Sequence, residues 1–296
     1  MKKIYIGFNM YYDVYQSGKR AIHAPSKELK RIQKLILSFI KTKYQLKLNI
    51  SGASNVHCGQ KWVLKLDIRK FYESFSDKQL RETIALIYKN IDLPEDMTKK
   101  YLFEYLTING KLPTGAPTSP YLANIAFAML EIDDKILEFC KQEKINYSRY
   151  MDDMFFSCES KAKLKKAEKV AVSLLKENGF NINHEKTQYI SDNKRQTILG
   201  VVVNNGKVIR IPYQNKHEYR ALFFNYLKSV YLEEKLGINT LFLKKIGIKE
   251  VCGHLAYLKS VDYKFYLSMK EYLKIKIRKF CIYNNKEIKQ LRNIIK

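Results

Sequence analysis

Tyr147-Ser-Arg-Tyr-Met-Asp-Asp-Met-Phe-Phe-Ser-Cys158 sets two adjacent carboxylates, Asp152 and Asp153, between aromatic and apolar flanks. The flanks, around 147–151 and 154–158, have strand composition, so the pattern predicts a tight hairpin with the acids at its tip. Asp is an ordinary turn residue, because its side chain bonds its own backbone, and the pair alone also reads as a plain turn. A second acid upstream shifts that balance. Trp62-Val-Leu-Lys-Leu-Asp-Ile68 is a strand-like run ending near a carboxylate. Alternation puts Trp62, Leu64 and Leu66 on one face and Val63, Lys65 and Asp67 on the other. A strand-end acid beside the hairpin acids would form a site for two divalent cations, the arrangement that holds the attacking and leaving oxygens of an in-line phosphoryl transfer. Carboxylate and phosphate oxygens are the ligands Mg²⁺ takes, with Mn²⁺ as the alternative ion.

The composition agrees with a phosphate-rich partner. Lys plus Arg number 54 against 29 Asp plus Glu, a net charge of +25 over 296 residues. Such an excess points to a polyanion, since each neutralised phosphate releases counterions. The 22 tyrosines and 15 phenylalanines supply core and, in part, platforms on which bases stack. The five cysteines are odd in number and never paired as Cys-x-x-Cys, which predicts free thiols in a reducing cytoplasm. Polar Asn9, Asp13 and Gln16 interrupt the opening segment, and no run reaches the roughly 18 apolar residues of a membrane span.

Other segments carry local signals. Ser26 is an N-cap for a helix with Leu29, Ile32, Leu35, Ile36, Phe39 and Ile40 toward the core. Residues 47–61 are small and polar and read as a loop. Ser76-Asp-Lys-Gln79 is a capping box, followed by a Leu80, Ile84, Ile87 stripe. In Lys111-Leu-Pro-Thr-Gly-Ala-Pro-Thr-Ser-Pro120, Gly115 lets backbone approach a ligand, and Ser119-Pro120 opens a helix over 121–140. A basic helix over 161–178 is closed by Gly179. Phe180-Asn-Ile-Asn-His-Glu-Lys-Thr187 follows, and a lysine there, Lys186, is placed to protonate a leaving group. Ile198-Leu-Gly-Val-Val-Val203 is a strand whose partner, 207–211, returns through a type I′ turn at Asn205-Gly206. Residues 213–296 read as strongly basic helices.

Tyr150-Met-Asp-Asp153, Asp67 with Tyr72 five residues on, Leu112-Pro-Thr-Gly-Ala-Pro-Thr-Ser-Pro120, Asn183-His-Glu-Lys-Thr187 and Leu199-Gly200 stand in the order of the reverse transcriptase motifs. With Arg20-Ala-Ile-His-Ala-Pro-Ser-Lys-Glu-Leu-Lys-Arg-Ile-Gln33 and Gly253-His-Leu-Ala-Tyr-Leu-Lys-Ser-Val-Asp262, the chain resembles the retron and bacterial defence-associated branch of that family over about 20–275. The resemblance implies an α/β right-hand polymerase: fingers over 1–60, a palm over 61–212 with a finger insertion at about 77–112, and a helical thumb over 213–296. It implies that Asp67, Asp152 and Asp153, with the carbonyl of Ile68, hold two Mg²⁺ ions. Arg20, Thr114 and Gly115 would meet the nucleotide, and Tyr72 would lie under its sugar and exclude a 2′-hydroxyl. Lys259, Lys264, Lys270 and Lys274 would follow a template duplex. The partners implied are dNTPs, a cognate non-coding RNA template, the DNA product and an effector protein, in a bacterial cytoplasm.

The chain departs from the retron pattern in three places. Ala53 and Ser54 precede His57 where retron enzymes have Asn-Ala, Thr114 replaces the usual Gln, and Ile198-Leu199 replaces Val-Thr. Three other readings stay open: a defence-associated enzyme outside the retrons, with protein-primed or untemplated synthesis, an intron-type enzyme, and an RNA-binding scaffold with a dead site.

Overall fold

The computed structural model describes residues 2–7, 9–18, 20–44, 50–91, 98–204, 206–238, 240 and 246–295. They form two compact units, residues 1–57 with 61–191, and residues 58–60 with 192–296. The first unit opens with an antiparallel sheet of β1 (Lys2–Gly7), β2 (Met10–Ser17) and β3 (Arg20–Pro25). Helix α1 (Lys27–Lys43) starts where the Ser26 hydroxyl accepts from Leu29 N–H. Its buried face carries Leu29, Gln33, Ile36, Leu37 and Ile40. Leu35, expected in the core, is 46% exposed. Gln33 is buried instead, because its amide donates to Tyr12 Oη at 2.6 Å and to the Tyr105 carbonyl at 2.8 Å. The stretch read as a loop at 47–61 contains a short helix, α2 (Ile50–Asn55).

β4 (Trp62–Arg69) is the central strand of the main sheet. After it come α3 (Phe71–Ser74), α4 (Asp77–Asn90), α5 (Lys99–Leu106), α6 (Ser119–Ala128) and α7 (Ile132–Glu143). Then follow β5 (Asn146–Tyr150), β6 (Asp153–Cys158), α8 (Lys161–Glu177), β7 (Asn181–Ile182) and β8 (Gln188–Ser191). Every pairing is antiparallel, with β5 and β6 on one side of β4 and β7 and β8 sharing the other. Leu64, Leu66 and Ile68 join Met154 and Phe156 in a core closed by helices α4, α6, α7 and α8. The capping box forms as expected at Ser76 and Gln79.

Two local readings change at α6. Thr118, not Ser119, takes the N-cap position, because the Ser119 hydroxyl donates to the Pro113 carbonyl at 2.7 Å and ties down the preceding loop. The helix expected over 121–140 is broken after Ala128, where Glu131 adopts a left-handed φ of 55°. The break redirects α7 and presents Asp133 to β5.

In the second unit β9 (Thr197–Ile198) and β10 (Val201–Val202) form a hairpin, and Gly59 N–H donates to Val203. The turn lies at Leu199-Gly200, both left-handed (φ 48° and 83°), the geometry of a type I′ hairpin. The expected return strand survives as one bridge, Val202 to Arg210; Asn205 of the expected turn lies outside the described residues. Helices α9 (Tyr213–Leu236), α10 (Ile248–Val261), α11 (Tyr263–Phe280) and α12 (Lys286–Ile294) complete the unit. Asp262 caps α11 and is 1% exposed. Among the described residues no helix is long and apolar enough to cross a membrane, and all five cysteines are free.

Candidate active site

The sheet brings the three acids together. In the β4–β6 register Asp67 stands opposite Asp153, and β5 returns Tyr150 to face Asp153 from the other side. Met151 and Asp152 are therefore the two residues of the hairpin turn. Ile68 N–H donates to the Asp152 carbonyl at 2.9 Å, which fixes the turn against the end of β4. Asn183 N–H donates to the Asp67 carbonyl at 2.7 Å, and this brings the 3-10 turn His184–Lys186 alongside.

Each outer acid has an ammonium partner. Lys186 Nζ lies 2.6 Å from Asp67 Oδ1, and Lys65 Nζ lies 3.2 Å from Asp153 Oδ1. Asp152 has its proton affinity raised above the usual carboxylate value, first by burial and then by the charges of Asp153 and Asp67; its own backbone N–H and Arg20 oppose this. Among the described residues no three His, Cys, Asp or Glu side chains form a ready-made metal cage. The donor set nevertheless fits a hard divalent cation, since it is all oxygen and its members repel one another.

Of the residues expected to meet the nucleotide, Tyr72 and Arg20 act electrostatically on the acid turn, and Thr114 and Gly115 lie against β3. Phe71 and Phe75 anchor α3 in an aromatic cluster with Phe127 and Phe180, ring centroids 5.1–6.0 Å apart. Tyr72, between the two anchors, is held in place by them. Burial, then the charges of Asp152 and Tyr150, push its hydroxyl up to about 12, while Arg20 pulls the other way. Arg20 at the start of β3 thus acts electrostatically on both Tyr72 and Asp152. The Thr114 carbonyl accepts from His23 N–H at 2.6 Å, so the Gly115 loop docks on β3. Gly115 sits at φ +115°, and a Cβ there would lie 2.9 Å from the His23 carbonyl oxygen. Only glycine allows that approach without strain.

The lysines expected to follow a duplex fall in the second unit. Lys259 is on α10 and Lys264, Lys270 and Lys274 are on α11. Lys264 lines a cavity of about 740 Å³ with Arg195, Arg210, Lys216 and Arg220. Lys270 lies over the Tyr266 ring, and Lys274 pairs with Glu271 at 2.9 Å.

Sequence reading missed the support beneath the turn. Arg149 on β5 is nearly enclosed; its Nε and Nη2 fork onto Asp133 at 2.8–3.1 Å. Its Nη1 donates to the Asn124 side-chain oxygen at 2.9 Å and to the Met151 carbonyl at 2.8 Å. The guanidinium also lies 4.2 Å over Phe127. Asn124 Nδ2 in turn reaches Met151 Sδ at 3.1 Å, and Tyr147 donates to Asp133 at 2.6 Å. Met151 has φ 59°, which costs a non-glycine residue about 1–2 kcal/mol. Hydrogen bonds to a charged group contribute about 1.5–3 kcal/mol each, so the network outweighs the strain. His57 is a second support. It is fully buried between Ser157 Oγ (2.7 Å) and Ser148 Oγ (2.9 Å). Ser148 donates its own proton to the Ala53 carbonyl, so His57 Nε2 carries the hydrogen and Nδ1 accepts from Ser157.

Comparison with known proteins places this geometry. The family profile "Reverse transcriptase (RNA-dependent DNA polymerase)" matches residues 13–203. Retron Ec83 reverse transcriptase of Escherichia coli is 30% identical over 238 residues, spanning 73% of this chain and 76% of its own length. Retron Ec86 reverse transcriptase of the same species is 26% identical over 264 residues, spanning 86% of this chain and 75% of its own. Apo telomerase from Candida tropicalis aligns with 97% of this chain and 70% of its own at a TM-score of 0.47 and 13% identity. The chain belongs to the reverse transcriptase family, in its retron-type branch, and is an RNA-directed DNA polymerase.

Proposed function

We propose that the chain copies a dedicated RNA into single-stranded DNA, with Asp67, Asp152 and Asp153 as the acids of the reaction centre. The observation that carries this reading is the Asp67–Asp153 register with Asp152 in the adjoining turn. Bound at these carboxylates, two Mg²⁺ ions would lower the pKa of the primer 3′-hydroxyl and neutralise charge on the triphosphate. The hydroxyl oxygen bonds to the α-phosphorus as the bond to pyrophosphate breaks. Lys186, close to the acids, is placed to give its proton to the leaving pyrophosphate. Arg20 holds the triphosphate, Thr114 and Gly115 border the nucleotide, and Tyr72 closes the space a 2′-hydroxyl would need. The Ile68 carbonyl adds an oxygen ligand beside Asp67.

In this reading residues 1–60 are fingers, 61–212 the palm with a finger insertion at about 77–112, and the basic helices of 213–296 the thumb, with Lys259, Lys264, Lys270 and Lys274 following the duplex backbone. The setting is a bacterial cytoplasm, the RNA is a cognate non-coding transcript, and the role is anti-phage defence with a partner effector; the retron relatives support this. Thr114 and the Ala53-Ser54 pair favour a second reading, a defence enzyme outside the retrons.

The test is sequencing of nucleic acid copurified from the native locus, beside Asp152→Asn. A discrete DNA joined to a structured RNA, absent from the variant, is expected. DNA attached to protein would move the reading to the second enzyme class. RNA alone, unchanged in the variant, would overturn polymerisation at this site.

A further inference from the structure

We propose that Arg149 is a positioning residue for the acid turn, and that its task is to hold Met151 in the left-handed conformation that sets Asp152 beside Asp153. The inference rests on the reading of these acids as the cation-holding pair.

Three separate elements converge on one guanidinium. Asp133 comes from α7, Asn124 from α6 and Arg149 from β5. The break between α6 and α7, with Glu131 left-handed, turns Asp133 toward the fork. Asp133 takes Nε and Nη2 and leaves Nη1 for the turn. Nη1 then bonds the carbonyl of Met151, whose own φ is 59°. Asn124 grips Arg149 through its oxygen and Met151 through its nitrogen, so backbone and side chain of Met151 are clamped together. The next residue is Asp152.

A guanidinium has five N–H donors and Asp133 engages only Nε and Nη2. What points to a function in geometry is the acceptor of Nη1: the carbonyl of the left-handed residue next to Asp152. A lysine keeps the charge but offers a single ammonium on a flexible stem, which cannot satisfy Asp133, Asn124 and Met151 in one plane. Without the clamp, Met151 relaxes toward negative φ and the Asp152 carboxylate leaves its place. A glycine at 151 adopts the left-handed conformation without help.

The experiment compares wild type, Arg149→Lys, Met151→Gly and the double variant. It uses single-nucleotide primer extension and direct Mn²⁺ titration followed by electron paramagnetic resonance, with thermal melting as the control for folding. Arg149→Lys is expected to lower kcat on the order of tenfold, with KM for the nucleotide nearly unchanged and Mn²⁺ bound several-fold more weakly. Met151→Gly in that background is expected to recover most of both. Should Arg149→Lys fail to fold, Asn124→Ala frees the Met151 side chain and one face of the guanidinium while leaving the bond to the Met151 carbonyl, and a smaller loss of kcat and Mn²⁺ affinity, repaired by Met151→Gly, is expected; wild-type values in that variant would overturn the proposal. Wild-type kcat and Mn²⁺ affinity in the folded single variant would overturn the proposal. A loss of kcat with unchanged Mn²⁺ affinity, or one that glycine does not repair, would also overturn it. A wild type that binds Mn²⁺ at the acids yet extends no primer would refute the polymerase reading and leave the Mn²⁺ arm to decide this one.

Discussion

His57 gives the clearest link between a buried contact and a measurable pH dependence. It joins α2 to the β5–β6 hairpin through Ser148 and Ser157, and that hairpin carries Asp152 at its turn. Burial lowers its pKa from 6.5 to about 3. The unfolded chain therefore binds a proton below pH 6.5 that the folded chain refuses. Above pH 6.5 both states are neutral and nothing is lost. As pH falls from 6.5 toward 3, folding stability drops by about 1.4 kcal/mol per unit. At pH 5 the accumulated loss is about 2 kcal/mol, a large part of a typical domain's stability. The assay is urea unfolding at pH 7, 6, 5.5 and 5, with the wild type beside His57→Gln. Trp62 is the single tryptophan and sits in β4 of the same unit, so its fluorescence follows that unit. Glutamine can still bridge the two serines but does not titrate. The variant is expected to start less stable and to lose about 2 kcal/mol less between pH 7 and 5. His23, whose pKa burial also lowers, contributes equally to both proteins and cancels. Parallel pH dependences would refute the argument, because they would mean that His57 takes up its proton while folded.

Gly115→Ala should place a Cβ about 2.9 Å from the His23 carbonyl and 3.1 Å from Ile22 Cγ2, at φ +115°. A loss of about 1–3 kcal/mol and a higher KM for dNTPs are expected; wild-type melting and KM would contradict the contact. Tyr72→Ala should admit ribonucleotides, read as a fall in the dNTP/rNTP ratio of kcat/KM, and unchanged discrimination would remove Tyr72 from the sugar. Burial pushes Asp262 up, yet Lys216 and the N–H groups of Phe265 and Ile211 bring it below the usual carboxylate value. Its stabilisation is present above pH 3.8 and lost as pH falls through the lowered pKa. Asp262→Asn at pH 7 leaves Lys216 and Arg210 without their buried acid, yet both reach water, and should cost about 1.5–3 kcal/mol in the second unit's thermal transition.

The parts of the site that chemistry confines to a few adjacent residues were readable in the sequence. The acid pair, the strand-end acid and the glycine loop each carry their signal within a short run, and the capping box at Ser76 and Gln79 does the same. The β1–β3 sheet gave no period, because its strands are exposed or half-buried on both faces and only Tyr12 is fully buried. Residues 198–203 were read as one strand from their apolar run, whereas the chain turns within them at Leu199-Gly200, with a leucine at φ 48°. β-branched composition alone does not show where such a run folds back on itself. The Arg149 network was invisible for a related reason: its members lie 2 to 25 residues from Arg149 and meet only after a helix breaks. His57 with Ser157 is more distant still, 100 residues apart.

Lys65 was visible on the face of Asp67, yet its partner was not, since only the register of β4 with β6 sets it against Asp153. This pairing bears on how three acids share one strand end. Neighbouring carboxylates destabilise a fold unless something opposes their charge. Lys186 and Lys65 do so for Asp67 and Asp153, and the lysine side chains are 48% and 32% exposed. Ion pairs reached by water are worth about 0–1 kcal/mol. The ammoniums therefore offset the acids' mutual repulsion while losing little when they swing into solvent. On the proposed reading, this is what a reaction centre that must exchange cations requires: carboxylates held by the backbone register and by Arg149, with counter-charges that let go easily. Replacing Lys65 with methionine should then leave the fold intact and strengthen Mn²⁺ binding by a few-fold, while weaker binding would show that Lys65 orients Asp153 rather than shields it.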